Sequence, residues 1–458
     1  MRWLRLSLLL LALAPPSAQA AGYVFVKLTS PQQLVFSELT GPPAMNEAGQ
    51  AAFIGKDAQG VPGVYLYSIG AVYLVVSANG PFADFGNSAL DPAVPSIDSL
   101  GNVGFWARLD SGEQGFYRGN ATSVTTIVET PGPLGAFDAL GNPDAWLDDA
   151  GVLAFWAVAS GGEQGIYTGD GGAPLPLYLG APASPDFSEL GPDPALSSGG
   201  NAAFLALSPL LGAGLFTGPG APTAASFVSA YGACSPPPPL AINASGVLAH
   251  PSLATSCFDQ AILAGAVIAD AATSPYASFD VVALNDNGVA AYLAERDAGG
   301  EALVRSDDPG GVIIQTGDPL FGSTVTDIDF GRQGFDDARR VSIRYVLADG
   351  REGIARGTPT KCDNDVDDDG DGLVDFGADP GCSSVADTTE TSAVQCDNSV
   401  DDDGDTRTDW RPDGSGDLDC SSVYDTSEFG TPPPPACGIG PELLALALLA
   451  AAGRRRSG

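Results

Sequence analysis

One short phrase returns seven times along the chain, and it constrains the fold more than any other feature. An apolar residue is followed by Asn or Asp in most copies, then two variable residues, Gly, one variable residue, two small or apolar residues and an aromatic. The copies occupy residues 45–53, 97–105, 147–155, 196–204, 242–250 and 284–292, and a worn seventh occupies 335–343. Their glycine places are Gly49, Gly101, Gly151, Gly200, Gly246, Gly288 and, in the worn copy, Arg339. Self-similarity at a spacing of about 40 to 50 residues belongs to stacked or circular repeat folds, because one unit alone cannot bury its apolar face.

Each unit carries the same internal order. After the aromatic comes a second strand phrase, as in Gly112-Glu113-Gln114-Gly115-Phe116-Tyr117. A third apolar run follows, as in Val124-Thr125-Thr126-Ile127-Val128, and then a phrase opening on Phe, as in Phe137-Asp138-Ala139-Leu140. Four short strands per unit, with Gly and Asp at the turns, predict a propeller blade. The two ends of the repeat region are complementary: residues 22–45 hold the third and fourth phrases, and residues 341–356 hold the first two. Joined, they complete a seventh blade and remove the sheet edges that an open array would expose. The expected fold is all-β, a seven-bladed β-propeller over residues 22–357 closed by its N- and C-terminal strands, with an open β-solenoid as the rival.

The phrase resembles the Asn-x-x-Gly-x-x-Ala-Phe repeat of bacterial tandem-repeat cell-surface proteins, which implies an exported, anchored protein and supplies no catalytic residue. His250 and Ile343 depart from it at the aromatic place, and Arg339 at the glycine place. The recurring Asn46, Asp98, Asp148, Asn243, Asn285 and Asp336 would make a ring of ligands in a functional reading. Short polar side chains at such places ordinarily bond their own backbone two residues on, opening the turn that the glycine completes. Because they recur from blade to blade, the turn role is the expected one. His250, standing where other copies have Phe or Tyr, reads as a packed ring rather than a base.

Asp and Glu number 56 against 20 Lys and Arg, a formal net charge of -36. Nucleic acid is excluded as a partner, since binding it requires clustered cations that neutralise phosphates. A single histidine argues against a His-rich metal site or an ordinary Ser-His-Asp apparatus. Half of the formal charge is concentrated in residues 361–430, where 21 Asp or Glu stand against 3 Lys or Arg. Two aligned modules, 361–390 and 396–428, account for it. Asp367, Asp369, Asp371 and Asp375 take positions 1, 3, 5 and 9 of a D-x-D-x-D-G loop, with Gly372 at the sharp turn. Asp401, Asp403, Asp405 and Asp409 repeat the pattern, with Thr406 in the glycine place. Alternate carboxylates in such a turn converge on one hard cation, and Ca²⁺ is the expected cofactor; a disordered acidic stalk is the alternative. Without a Glu at position 12, the loops resemble the disulfide-bounded, calcium-binding aspartate loops of extracellular thrombospondin type 3 repeats more than a helix-flanked EF-hand. By proximity, Cys234 is expected to pair with Cys257, Cys362 with Cys382 and Cys396 with Cys420, leaving Cys437, although the spacing alone leaves the connectivity open.

Both ends carry processing signals. Residues 1–20 place Arg2 and Arg5 before an apolar run and end on Ala18-Gln19-Ala20, the pattern of a secretory signal cleaved after Ala20. A Pro-rich linker, 431–436, leads to residues 437–458, in which Cys437 precedes a short apolar stretch and Arg454-Arg455-Arg456. This tail resembles the myxobacterial type of C-terminal sorting signal, which implies processing at Cys437 by a sorting protease. A plain single-pass anchor is the other reading, and in both the membrane is met only through this tail.

The expectation is an exported, surface-anchored, non-enzymatic binding or structural protein, held at the bacterial cell surface or outer membrane or released from it. A calcium-rigidified stalk would carry the propeller, and the partner would be a glycan, a peptide or another cell-surface component. The rival is an extracellular hydrolase or lyase with its site in the propeller channel, where carboxylate pairs or a metal act without histidine.

Overall fold

The computed structural model describes residues 22–29, 35–88, 91–131, 137–141, 144–219, 225–230, 239–252, 258–307 and 311–429. Ala20, the Cys234 and Cys257 pair, the 431–436 linker and the 437–458 tail with Cys437 lie outside the described residues. The chain divides into two compact units, Met1–Thr360 and Lys361–Gly458.

The first unit is a seven-bladed β-propeller built of antiparallel sheets. Its first blade is Phe36–Met45, Ala51–Asp57, Pro62–Ser68 and Ala71–Ser77, paired in that order from the axis outward. In the next three blades the inner strand is split into two short pieces that pair with the same neighbour. Phe82–Asp84 and Ser96–Ile97 flank Val103–Leu109, Phe137–Leu140 and Trp146–Leu147 flank Leu153–Ala159, and Glu189–Leu190 and Ala195–Leu196 flank Asn201–Ser208. The fifth blade runs from Ala241–Ile242 to Ala266–Asp270 and the sixth from Tyr276–Leu284 to Val312–Gln315.

Ser323–Phe335, Val341–Leu347 and Glu352–Pro359 form most of the seventh blade, and the N-terminal strand Tyr23–Lys27 completes it, with Tyr23 opposite Pro359 and Lys27 opposite Ala355. Closure is thus three strands to one, whereas the phrases at the chain ends suggested two to two. The difference lies in where a blade begins. Each Phe phrase pairs with the motif strand that follows it, as Phe36 lies opposite Asp57 and Met45 opposite Ala51, because the tight Asn-x-x-Gly turn joins the two as a hairpin. It therefore opens the next blade rather than closing the last.

The repeat is also a packing unit. The motif aromatics Phe53, Phe105, Phe155 and Phe204 are fully buried. Each stacks on a ring of the adjacent strand, with centroids 5.7 Å apart for Phe53–Tyr65, 5.6 Å for Phe105–Tyr117, 5.8 Å for Phe155–Tyr167 and 6.0 Å for Phe204–Phe216. The Phe of the Phe phrase then meets that second ring edge-on, at 4.8 Å for Phe36–Tyr65 and 5.0 Å for Phe82–Tyr117. Such edge-to-face pairs add to the gain from area burial. The motif strand is covered on both faces by neighbouring blades, so Ala51, Ala52, Phe53 and Ile54 are buried in succession rather than alternately.

The second unit contains no strand among the described residues, only short 3-10 turns at Lys361–Asp363 and Gln395–Asp397. Disulfides Cys362–Cys382 and Cys396–Cys420 close its two modules. Among the described residues no helix is long and apolar enough to cross a membrane.

Candidate cation sites and the propeller channel

The recurring Asn and Asp residues are turn residues. Asn46 Oδ1 accepts the N–H groups of Ala48 and Gln50, both at 3.1 Å, and Asp148 Oδ1 accepts those of Ala150 at 2.9 Å and Val152 at 2.8 Å. Asp98 caps Leu100 and Asn102 in the same way, Asn243 caps Val247, Asn285 caps Val289 and Asp336 caps Arg340. Each turn ends in a left-handed residue, from Gly49 at φ +71° to Gly101 at +83°, and Arg339 takes φ +57° in the worn copy. Asn adds what Asp cannot. Asn46 donates to Asp98 O at 2.8 Å, Asn243 to Asn285 O at 3.1 Å and Asn285 to Asp336 O at 3.2 Å, each reaching the next blade. The following position links blades as well, since Asp286 accepts Ala244 N–H, Asp337 accepts Asp286 N–H and Glu47 accepts Asp337 N–H across the ring closure.

His250 is buried and packed as its place in the repeat implied, its Nδ1 2.7 Å from Pro251 O, and burial lowers its pKa while the contact with Pro251 O raises it. In the seventh blade residues 331–334 form a break in register that carries Arg332 and Gln333 into the channel. The Arg332 guanidinium is buried. It grips Asp193 as a fork, Nη1 to Oδ2 at 2.9 Å and Nη2 to Oδ1 at 2.7 Å, lies 3.9 Å from Asp144 and stacks 4.7 Å from the Trp146 ring centre. Burial works against its charge, yet Asp193 and Asp144 outweigh that and hold its pKa above the ordinary value. Gln333 donates to Leu147 O at 3.2 Å. Arg332 lines both a cavity of about 400 Å³, shared with Pro42, Asp144, Asp193, Phe258 and Asp280, and a smaller one of about 120 Å³ under the turn ring. The channel thus presents a fixed ion pair.

In the acidic modules the structure brings Asp367, Asp369 and Asp371 together, with carboxylate oxygens within 4.8 Å of one another, and likewise Asp401, Asp403 and Asp405. Asp375 and Asp409 stand outside these triplets. Asp375 accepts the N–H groups of Asn364 and Asp365, and Asp409 accepts those of Asn398 and Ser399. Two glutamates complete the frame: Glu390 accepts the N–H groups of Asp368 and Asp375, and Glu428 those of Asp402 and Asp409. Gly372 has φ +85°, and Thr406 is forced to +80° in the equivalent place, a strained conformation for a β-branched residue.

Sequence reasoning did not single out Asp379, Asp417, Glu390 and Glu428. The signal was an Asp three residues before the second cysteine of each module and a Glu eight residues after it. Asp371 and Asp379 are 3 % exposed and Asp417 4 %, and one oxygen of each, Oδ2, has no hydrogen-bond partner, as is true of Asp369 Oδ2. Burial, together with neighbouring carboxylates, raises Asp369 to about 7 and Asp379 to about 6.

No family model and no curated protein matches the chain. Among solved structures, a puromycin hydrolase mutant aligns over 70% of this chain and 50% of its own, with 13% identity and a TM-score of 0.40. A xyloglucanase from Xanthomonas campestris aligns over 71% of this chain and 52% of its own, with 13% identity and a TM-score of 0.40. A lectin from Aleuria aurantia aligns over 70% and 93%, with 8% identity and a TM-score of 0.32. The chain spans about half the length of the first two, and these likenesses concern the fold alone.

Proposed function

We propose that this is an exported, non-enzymatic surface protein, a propeller that binds a glycan, a peptide or a surface component and is carried on an acidic segment ordered by calcium. The observation behind it is the set of buried Asp oxygens without partners, Asp369, Asp371 and Asp379 in the first module and Asp417 in the second. A buried carboxylate oxygen lacking a donor is costly, and a cluster of them is more so. A hard cation removes that cost. Asp367, Asp369 and Asp371 are all-oxygen donors of the kind Ca²⁺ takes in irregular coordination, whereas Mg²⁺ demands a near-ideal octahedron and keeps its waters. When bound, calcium would supply positive charge that draws the loop carboxylates together. The disulfides suit an oxidising, extracellular compartment. A non-enzymatic role agrees with a channel whose Asp193 carboxylate is committed to Arg332. Anchoring through Cys437 belongs to the same reading.

Calcium titration of the full disulfide-bonded chain, by calorimetry and limited proteolysis, tests it. Binding at ~10⁻⁴ to 10⁻³ M is expected, with protection of residues 361–429, and Asp371→Asn should abolish the stronger site. No heat and no protection at several millimolar calcium would make the segment an acidic spacer only.

A further inference from the structure

We propose that the axial cavity of the propeller is its binding site, and that it takes a protonated primary amine on an alkyl stem, as a lysine side chain presents on a peptide. This rests on the surface-binding reading above and narrows the ligand left open there.

The cavity of about 400 Å³ is one tier of the ring. In every blade it is lined by the residue three places before the first residue of the repeated phrase. Four blades supply apolar walls from that place, Pro42, Val94, Pro239 and Val281. The other three supply charge, Asp144, Asp193 and Arg332, so the sevenfold pattern is broken here by ionic groups. Asp280 adds a third carboxylate to the lining. It stands between Phe279, opposite Ala294, and Val281, opposite Leu293, which makes it the extra residue of a bulge, a device that re-aims a side chain. The other six blades have Gly, Ala or Pro in its place. Asp280 is exposed, no donor reaches its carboxylate among the described residues, and nearby Glu295 repels it.

The chemistry of the walls selects the ligand. Three carboxylates against one guanidinium leave two negative charges in excess, and Asp193 is already held by Arg332. The volume falls within the range of small-molecule sites, about 300–1,000 Å³, and is far more than a bare ion fills. Asp144, Asp193 and Asp280 also form no close metal-holding group among the described residues. An ammonium would pair with Asp280 while its methylene stem lies along Pro239, Val281 and the rings of Phe258 and Phe330. Phe258 is held at φ +67°, a strained conformation for a residue with a side chain, and its carbonyl accepts Phe279 N–H at 2.8 Å. That bond fixes it to the residue before Asp280.

The experiment is calorimetry with cadaverine on the full disulfide-bonded chain, in several millimolar calcium and ~0.15 M salt to screen exposed charge. One saturable site per chain is expected, with none for pentanol. Asp280→Asn should weaken it at least tenfold. Val281→Phe, which fills the cavity without changing charge, should do the same; if that variant fails to fold, Asp280→Asn at an exposed position still decides. Asp110→Asn removes the same charge from an exposed place elsewhere on the propeller and should leave binding within twofold of native. An acetylated Gly-Lys-Gly amide should displace cadaverine. No saturable site, or equal weakening by Asp280→Asn and Asp110→Asn, would overturn the cavity as an amine site. Cadaverine binding that the peptide does not displace would overturn the lysine assignment. Calcium titration of the same samples reads the surface-protein proposal separately, so either can fail alone.

Discussion

Replacing Arg332 by methionine isolates the energetics of the channel. Met keeps most of the side-chain volume and its contact with Trp146 but removes both donors to Asp193, whose side chain is 11% exposed, and the more distant partner of Asp144. Removing one member of a buried pair typically costs about 3–5 kcal/mol, because it leaves an uncompensated charge. An unfolding entropy of about 2.1 cal/mol/K per residue gives roughly 0.7 kcal/mol/K for residues 22–360. The propeller transition should therefore fall by about 4–7 °C in scanning calorimetry. Arg332→Met combined with Asp193→Leu removes both charges, and Asp144 still accepts Val94 N–H at 3.0 Å. The double variant should recover to within about 1.5 kcal/mol of native, since apolar replacement of a buried pair is often neutral. A single variant that loses less than about 1 kcal/mol, or a double variant that is no better than the single one, would refute the account of Arg332 as a desolvated, obligatory pair.

Glu301 should give the propeller a pH-dependent term. It accepts Ile328 N–H at 3.0 Å, and burial, with Asp327, Asp329 and Asp280 nearby, raises it from 4.5 to about 7. The folded state then favours the protonated acid, so its contribution is full below about pH 4.5 and is lost as pH rises through about 7, by up to about 3 kcal/mol before solvent screening. Glu301→Gln should overtake the native chain above pH 7 in denaturant melts; a native–variant difference that stays constant from pH 5 to pH 8 would contradict this. Asn285→Asp keeps the bond to Val289 N–H but loses the donor to Asp336 O and places a new charge beside buried Asp336. A loss of about 1–3 kcal/mol is expected, and an unchanged melting temperature would show that the inter-blade bond carries nothing.

Much of this was legible because it recurs. The glycine places, the capping Asn and Asp, the stacked aromatics and the ring closure each leave a period in the sequence, and Arg339 could be aligned although it breaks the pattern. The phase of the blade was not legible. Consecutive strands pair in either grouping, and only the hairpin register, Met45 against Ala51, decides that the Phe phrase opens a blade. Arg332 was invisible for the opposite reason: the insertion is used once, and its partner Asp193 lies three blades away. In the modules the D-x-D-x-D spacing marked Asp367, Asp369 and Asp371, which are local. Asp375 has the right spacing but serves the backbone, and Asp379 meets Glu390 only through the folding of the chain.

The pairing of Tyr23–Lys27 with Glu352–Pro359 has a consequence in time. Among the described residues, the first strand to be made is the last to be used. Six blades are built from hairpins between consecutive strands, which close quickly, whereas the Thr29 hydroxyl meets Ile354 N–H across 325 residues. Until Pro359 has been synthesised, that opening strand has no partner, and the chain has to remain unclosed through synthesis. A chain ending early would carry six finished blades and two unpaired strand edges, the arrangement in which a second copy can supply the missing strand.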